Sequence, residues 1–386
     1  MNERKSKHQN VEQRWLFFAD TPLQIYNAAL IASGLKEQGH RSALLVYDQF
    51  TQASDLAGTY EKTGVFEEIE VVPSCPIHEY RQQFMWQIGS RFGKEKLGIK
   101  TTLNIPYDHF AIACPTPATF EVFQRLRRCN EKLHVSYYED GTGSYNGAVF
   151  TTAYSFDKPP LVDKDEPPRI HQIRTIINKL HLNSFLYQPE QLFLKNPELL
   201  APGINIPISL IIPDEHFIDT LEAVFSSEAL DLPPGKNIIV LDTARYQEPN
   251  PETNTIDSML EQIVNLETST FLREHPRSMA NSPYAKDCQD LSGGFWELFC
   301  RKESSILSDA LLISIGSTAQ LSPIIESGAK PYLMFLYKLA FSETDPLFKS
   351  YEYTVRVAQA CYGANSDRIL VPKSLEEAQE HLRNYL

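Results

Sequence analysis

The stretch that decides the fold runs from residue 15 to residue 47 and reads WLFFADTPLQIYNAALIASGLKEQGHRSALLVY. Its first five residues are continuously apolar, as is typical of a parallel strand buried on both faces. A helical stretch over residues 25–38 follows, and a second apolar strand covers residues 43–47. Strand, turn, helix and strand within this length predict a βαβ unit at the start of a doubly wound sheet.

The same alternation continues along the rest of the chain. Short apolar segments predict further strands, at residues 68–72, 110–114, 133–138, 237–241, 269–273, 311–315, 332–336 and 369–371. Helical patterns lie between most of them, for example over residues 82–92 and 119–129. A last amphipathic helix over residues 376–385 could fold back on either half. The pattern therefore predicts an α/β protein with parallel sheets.

The length of 386 residues suggests two domains, since one domain usually takes about 100–200 residues. Proline and glycine cluster near residues 200–212, just before the alternation resumes. We therefore predict one Rossmann-like domain over residues 15–205 and a second over residues 206–386. Residues 1–14 are polar and lack the apolar run of a signal peptide, which predicts a disordered leader.

Composition excludes several classes of protein. A net charge of −13 argues against a general nucleic-acid binder, which needs a basic face to neutralise phosphates. No run reaches about 18 apolar residues, so no transmembrane helix is predicted. The six cysteines are scattered without a C-x-x-C pair, which argues against a structural zinc site and favours the reducing cytoplasm.

The first polar segment that follows a predicted strand is Glu139-Asp140-Gly141. Ligands of parallel α/β folds bind at the carboxyl ends of strands, so these carboxylates lie where a substrate would. A carboxylate there could take a proton from a hydroxyl group. Gly141 lets the backbone turn sharply and a ligand approach closely. An acidic turn that caps the next segment would have the same residues.

The second segment is Arg273-Glu274-His275-Pro276-Arg277, which follows the strand at residues 269–273. Proline disfavours the α region for the residue before it, so Pro276 holds His275 extended. His275, with Arg273 and Arg277 close in sequence, could donate a hydrogen bond or a proton to a phosphate oxygen. A buried histidine bonded to the backbone is the alternative.

The third segment is Gly316-Ser317-Thr318, directly after the strand at residues 311–315. A small residue and two hydroxyls at a strand-to-helix turn, with free amides behind them, can cradle an anion. Pro323 cannot lie deep in a helix, so the helix is expected to begin at Ser322. A plain N-cap is the alternative.

Further candidates lie near these segments. Asp242 follows the strand at residues 237–241 and could face His275, which makes it a reserve candidate for the base. Thr21 and Gln24 follow the first strand and could contact an acceptor, while Glu326 could reach a ribose. Asp163-Lys164-Asp165 has the D-x-D form of metal-dependent transferases but lies in a proline-flanked charged loop.

Taken in order, the three segments resemble bacterial sialyltransferases, which carry a D/E-D/E-G motif, an H-P motif and a serine/threonine pair. The stretch Thr21-Pro22-Leu23-Gln24 is also similar to the opening of the lipooligosaccharide sialyltransferase family. The resemblance spans residues 15–335. It implies the GT-B fold, with two Rossmann-like domains and the active site in the cleft between them. The first would bind the acceptor and the second the nucleotide sugar.

The resemblance further implies inverting transfer of sialic acid from CMP-sialic acid to a hydroxyl of an acceptor glycan, a lipooligosaccharide or a capsular polysaccharide. Neither a metal nor another cofactor would be needed. Asp140, or Glu139, would be the base. His275 would donate to the departing phosphate, which Ser317 and Thr318 would hold. Some relatives are thought to draw the base from the second domain, which keeps Asp242 open. The other candidate site residues are Pro276, Gly316, Arg273 and Glu326 on the donor side and Thr21, Gln24 and Gly141 on the acceptor side.

Two other functions stay open at this stage. The same family contains hexosyltransferases, so a UDP-hexose donor is the enzymatic alternative. A non-catalytic two-domain sugar-binding protein is the other. The expected partners are a nucleotide-sugar donor and a glycan acceptor, with no nucleic acid. Peripheral association with the inner membrane and a homodimer are also left open.

Overall fold

The structure is a computed structural model, and it describes residues 11–50, 52–75, 80–145, 172, 189–225, 232–243, 251–264, 270–278 and 281–386. The chain divides into two compact units. The first comprises Met1–Asp140, Gly147–Lys195 and Pro202–Thr220, and the second comprises Gly141–Asn146, Asn196–Ala201 and Leu221–Leu386. Each is built around one sheet of parallel strands.

The first sheet has seven strands in the order β3-β2-β1-β4-β5-β6-β7. They are β1 (Arg14–Ala19), β2 (Arg41–Asp48), β3 (Glu68–Pro73), β4 (His109–Ile112), β5 (His134–Tyr138), β6 (Gln191–Leu194) and β7 (Ile208–Leu210). The first six follow the Rossmann order 3-2-1-4-5-6, in which the direction of winding reverses between β1 and β4. β1 is buried from Trp15 to Ala19, because helices cover both faces of such a sheet.

The second sheet repeats this order with six strands, β10-β9-β8-β11-β12-β13. They are β8 (Ile238–Leu241), β9 (Thr270–Arg273), β10 (Gln289–Asp290), β11 (Leu311–Ser314), β12 (Tyr332–Phe335) and β13 (Ile369–Leu370). Its winding reverses between β8 and β11. Each unit is therefore one Rossmann-like α/β domain. This confirms the predicted fold class, two such domains as in GT-B enzymes.

The helices begin at caps that are visible in the sequence. Thr21 accepts the amide of Gln24 through its side chain, and Pro22 occupies the first turn. Thr116 and Thr119 form a reciprocal capping box. The helices described in the first unit are Pro22–Glu37, Ala53–Glu61, Tyr80–Arg91 and Pro117–Cys129. Helix Glu215–Phe225 then leads the chain from the first unit into the second.

The second unit contains the remaining helices: Thr142–Tyr145, Pro251–Val264, Trp296–Lys302, Ser304–Leu307, Ser322–Ser327, Tyr337–Ala340, Pro346–Tyr362 and Leu375–Tyr385. The last helix packs on this unit, since the Tyr385 hydroxyl donates to the carbonyl of Asn237 at 3.2 Å. Short 3-10 turns also occur, at Thr102–Asn104, Pro197–Leu199, Ala285–Asp287, Thr318–Leu321 and Gly363–Arg368.

The domain boundary expected between residues 205 and 206 needs correction. β7 pairs with β6, with Leu192 opposite Ile208, so the first sheet continues past the expected boundary. The cluster of proline and glycine is a connection between two neighbouring strands of one sheet. Arg14, expected in the disordered leader, is instead the first residue of β1, and residues 1–10 of that prediction lie outside the described residues. In the described part of the chain, no helix is long and apolar enough to cross a membrane.

Candidate functional site

The carboxyl edge of the second sheet gathers most of the predicted residues. β8 pairs with both β9 and β11, so the loops after these three strands lie side by side. They carry Asp242, His275 and Gly316-Ser317-Thr318. Neighbouring strands are about 4.8 Å apart, which places the His275 and Gly316 loops about 10 Å from each other. This edge includes the reversal point at which open α/β sheets bind ligands.

The loop after β11, predicted as an anion cradle, is held by its own hydrogen bonds, and Ser317 is the N-cap of the turn Thr318–Leu321. The Ser317 amide donates to the Ser314 hydroxyl at 2.8 Å, and the Ser317 hydroxyl accepts the amide of Ala319 at 3.3 Å. Thr318 is half-buried, and no hydrogen bond joins its hydroxyl to another described residue. Helix Ser322–Ser327 begins at Ser322 with Pro323 in its first turn, as predicted. The hydroxyls and the loop therefore precede the helix.

Gln320 anchors this cradle, a role that the sequence did not indicate. Its side chain is fully buried, and its amide nitrogen donates to the carbonyls of Leu312 and Met334 at 2.9 and 3.1 Å. Its amide oxygen accepts the Ser314 hydroxyl at 2.6 Å. The side chain thus ties the loop to β11 and β12 and fixes the positions of Ser317 and Thr318.

Gly316 is required because an aromatic ring occupies the space beside it. A Cβ at this position would lie 2.1 Å from Cδ1 of Tyr351. The Tyr351 ring in turn contacts the rings of Tyr337 and Phe341, with centroids 6.0 and 5.4 Å away. A side chain at position 316 would therefore displace a packed aromatic cluster.

We expect Gly316→Ala to destabilise the protein by about 1–3 kcal/mol through overpacking. Gly143→Ala is the matched control in the same unit, since a Cβ there would meet nothing within 4 Å. Urea unfolding followed by near-UV circular dichroism measures both variants. An equal effect at the two positions would show that the Tyr351 ring moves aside at little cost.

Gly141 connects the first predicted segment to this cradle. Its φ is +66°, which favours glycine, and a Cβ on it would lie 2.9 Å from the Thr318 hydroxyl oxygen. The same turn continues into helix Thr142–Tyr145, where the Thr142 hydroxyl lies 3.3 Å from that of Thr354. The second unit therefore brings together Gly141 and Thr318, which are far apart in sequence.

The two carboxylates before Gly141 differ in their environment. Glu139 is 2% exposed, and its carboxylate accepts the amide of Lys195 at 2.8 Å. Its backbone carbonyl accepts the side-chain amide of Asn27 at 2.9 Å. Asp140 is half-buried, so solvent reaches it. Of the two, Asp140 is the carboxylate that a substrate hydroxyl can approach, and Glu139 holds the turn in place.

His275 is held as a hydrogen-bond donor. Its Nδ1 accepts the amide of Arg277 at 3.1 Å, so in the neutral ring the proton is on Nε2. Burial lowers the pKa of His275, the charge of Arg277 lowers it further, and Asp242 counters in part. The imidazole is therefore neutral near pH 7, with Nε2–H available to a ligand. The exposed Pro276 forms the turn that brings the Arg277 amide to Nδ1.

Asp242 is surrounded by hydrogen-bond donors, as a carboxylate with a structural role is and as a base is not. It is 3% exposed, and its carboxylate accepts the hydroxyls of Tyr284 at 2.8 Å and of Ser282, together with the amide of Thr243 at 2.7 Å. Three donors inside the unit occupy the oxygens that would have to accept a proton. This arrangement fixes the loop after β8 beside His275.

Arg273 also differs from its predicted role. Its guanidinium donates to the carbonyls of Leu291, Gly293 and Gly294 at 2.8–3.0 Å and lies 5.3 Å over the ring of Trp296. These contacts direct the side chain into the loop after β10. We therefore correct the predicted phosphate contact of Arg273 to a structural one. Glu326 is buried on helix Ser322–Ser327, and its contact with a ribose stays a prediction.

The acceptor-side residues lie after β1. The Gln24 side-chain oxygen accepts the amide of Asp20 at 2.8 Å, which orients the side-chain amide and leaves Nε2 buried with no hydrogen-bond partner among the described residues. Thr21 caps the helix. Asn27, one turn after Gln24, was not predicted. The D-x-D residues Asp163 and Asp165 lie outside the described residues, and the described part of the chain holds no group of three or more metal-ligating side chains.

No family model matches the sequence, and no curated protein matches it. Solved structures with a similar fold include the calicheamicin glycosyltransferase CalG4, at 10% identity and a TM-score of 0.49, covering 97% of this chain and 98% of that one. A protein described as a UDP-N-acetylglucosamine 2-epimerase from Listeria monocytogenes has 13% identity and a TM-score of 0.48, over 97% and 98% of the chains. A sialyltransferase from Photobacterium damsela has 12% identity and a TM-score of 0.40, over 94% and 82%. At these values the similarities assign neither a family nor a reaction.

Proposed function

We propose that the chain is a nucleotide-sugar-dependent glycosyltransferase of the GT-B type, and specifically an inverting sialyltransferase that uses CMP-sialic acid. The observation that carries the proposal is the approach of Gly141 to the Thr318 hydroxyl. It joins the acidic motif, through the residue that directly follows Asp140, to the serine/threonine motif. His275 presents Nε2–H from the loop after β9, and β8 alone lies between β9 and β11, which supports a shared role for the His275 and Ser317-Thr318 loops.

The chemistry of CMP-sialic acid fits this set of residues. The bond between the anomeric carbon and the phosphate oxygen breaks, and the electron pair leaves with CMP. Donors aimed at that phosphate stabilise the negative charge that develops on it. The hydroxyls of Ser317 and Thr318 and the Nε2–H of His275 supply those donors. A carboxylate such as Asp140 takes the proton of the acceptor hydroxyl. The hydroxyl oxygen bonds to the anomeric carbon from the face opposite the phosphate, which inverts that centre.

A comparison of donors tests the proposal against its alternatives. We expect CMP and CMP-sialic acid to raise the melting temperature, and UDP-glucose to have little effect. We also expect CMP release from CMP-sialic acid when a lipooligosaccharide or capsular polysaccharide acceptor is present. The double variant Ser317→Ala/Thr318→Val is the control and should lose the CMP shift. Transfer from UDP-glucose would support the hexosyltransferase, and sugar binding without turnover of either donor would support a binding protein.

The second test concerns metal ions. If Ser317, Thr318 and His275 stabilise the leaving phosphate, the rate of transfer should be unchanged by excess EDTA. The measurement is CMP release with and without chelator, after dialysis against it, with a magnesium-dependent transferase as the positive control. A strict requirement for magnesium or manganese would contradict this mechanism and return attention to Asp163 and Asp165.

A further inference from the structure

One face of the first unit exposes large apolar side chains. Phe92 is 80% exposed and Met85 is 57% exposed. Met85 lies within helix Tyr80–Arg91, and Phe92 follows directly after its last residue. Gly93, with φ of +77°, reverses the chain directly after Phe92, and the amides of Gly93 and Lys94 close the turn on Ser90 and Gly89. Phe92 therefore lies at the tip of the turn.

Basic side chains surround this tip. Lys94 and Lys96 follow in the loop and are exposed, and Arg128 lies beside them. An Arg128 nitrogen lies 3.6 Å from where a Cβ of Gly93 would be, and another pairs with Glu95 at 2.9 Å. The chain as a whole carries a net charge of −13, so this positive region is opposite in sign to the average. We call Met85, Phe92, Lys94, Lys96 and Arg128 the Phe92 surface.

The scaffold beneath the Phe92 surface is fixed. The buried carboxylate of Glu121 accepts the amides of Lys96 and Leu97 at 2.9 and 3.0 Å, and it also accepts the indole N–H of Trp86. At the other end of the loop, Glu70 accepts the amides of Thr101 and Thr102. Two carboxylates thus hold a loop from which Phe92, Lys94 and Lys96 face solvent, while its other apolar side chains, Leu97 and Ile99, are buried. The side chains of the Phe92 surface are therefore exposed on a loop that hydrogen bonds hold in place in the folded protein.

We propose that the Phe92 surface binds an anionic lipid membrane surface. Positive side chains around a solvent-exposed aromatic residue complement a layer that is negative at its headgroups and apolar just below them. Phe92 and Met85 enter the boundary between headgroups and acyl chains, and Lys94, Lys96 and Arg128 pair with the anionic headgroups. Phosphates of a nucleic acid would use the cations but leave the two apolar side chains in water.

Vesicle flotation of the full chain tests this proposal. We expect binding to vesicles that contain phosphatidylglycerol and little binding to pure phosphatidylcholine. Phe92→Ser should weaken the partition by about tenfold or more, since it removes the buried aromatic group. Lys94→Gln/Lys96→Gln should weaken it by about fivefold for each cation removed. Added salt should weaken the binding of the wild-type chain.

Matched controls separate the surface from general charge and apolarity. Ile212→Ser removes an apolar side chain that is 71% exposed elsewhere on the first unit. Lys349→Gln/Lys373→Gln makes the same change in net charge on the second unit. Both should bind vesicles as the wild type does. Two results would overturn the proposal: equal binding to neutral and to anionic vesicles, or equal losses of binding in the control and the test variants. Flotation requires no turnover, so the membrane-binding proposal is tested independently of the glycosyltransferase assays.

Discussion

Asp140→Asn should transfer sialic acid at least about 10²-fold more slowly than the wild type while binding CMP with unchanged affinity. A base acts only in the transition state, so its removal lowers kcat and leaves donor binding intact. Asparagine is close in shape to aspartate but cannot take the proton at neutral pH. The measurement is the rate of CMP release beside CMP binding by calorimetry, in protein with a native circular dichroism spectrum.

Asp242→Asn is the comparator for this experiment. Its carboxylate accepts hydrogen bonds from Ser282, Tyr284 and Thr243, so the substitution should cost about 1–3 kcal/mol of stability. We expect the folded fraction of this variant to retain more activity than Asp140→Asn does. If Asp242→Asn is instead the inactive variant and Asp140→Asn is active, the second unit supplies the base. Asp140 would then bind the acceptor or hold the turn.

Glu139→Gln separates the two adjacent carboxylates. The Glu139 carboxylate accepts the amide of Lys195, so losing its charge should affect the position of the turn more than proton transfer.

The sequence could not distinguish Glu139 from Asp140, because both directly follow β5. The distinction depends on Lys195, which is more than fifty residues away along the chain and reaches Glu139 only because β6 pairs with β5.

The sequence predicted most of the fold because buried parallel strands leave a strong apolar signal. β1, β2, β8 and β11 were all found from four or more consecutive apolar residues. β6 and β7 were both missed, because they have only four and three residues and lie where proline and glycine interrupt the pattern. β10 was missed because its two residues, Gln289 and Asp290, are polar. A short polar strand that is held only by pairing with its neighbour leaves no apolar pattern in the sequence from which it could be predicted.

The candidate site was predictable in position but less so in role. The rule that ligands bind at strand ends pointed to Asp242, Arg273 and His275 together. Their partners lie at other places in the sequence: Ser282 and Tyr284 for Asp242, and the carbonyls after β10 for Arg273. Only the folded chain shows that two of the three strand-end residues are already engaged and that His275 keeps a donor available.

That available donor leads to the last prediction. Nδ1 of His275 accepts the Arg277 amide, and burial holds the pKa below its ordinary 6.5. The neutral ring then acts as a fixed hydrogen-bond donor to the phosphate, through Nε2–H. Removing one such donor costs about 10²–10³-fold in kcat, which is the loss expected for His275→Ala. His275→Gln should retain more activity, because its amide nitrogen can reach the place of Nε2.

The pH dependence distinguishes a neutral donor from an imidazolium acid. With the pKa lowered, the neutral form predominates at pH 6.5 and above, so His275 should give a kcat that is level at neutral and alkaline pH and falls only as the pH drops through the lowered pKa. An imidazolium acid would instead give a kcat that declines as the pH rises past that pKa. His381→Gln, on the last helix, is the matched histidine control and should change neither kcat nor its profile. A loss under about threefold in folded His275→Ala would show that the residue serves only the turn, since a donor to the leaving phosphate contributes far more.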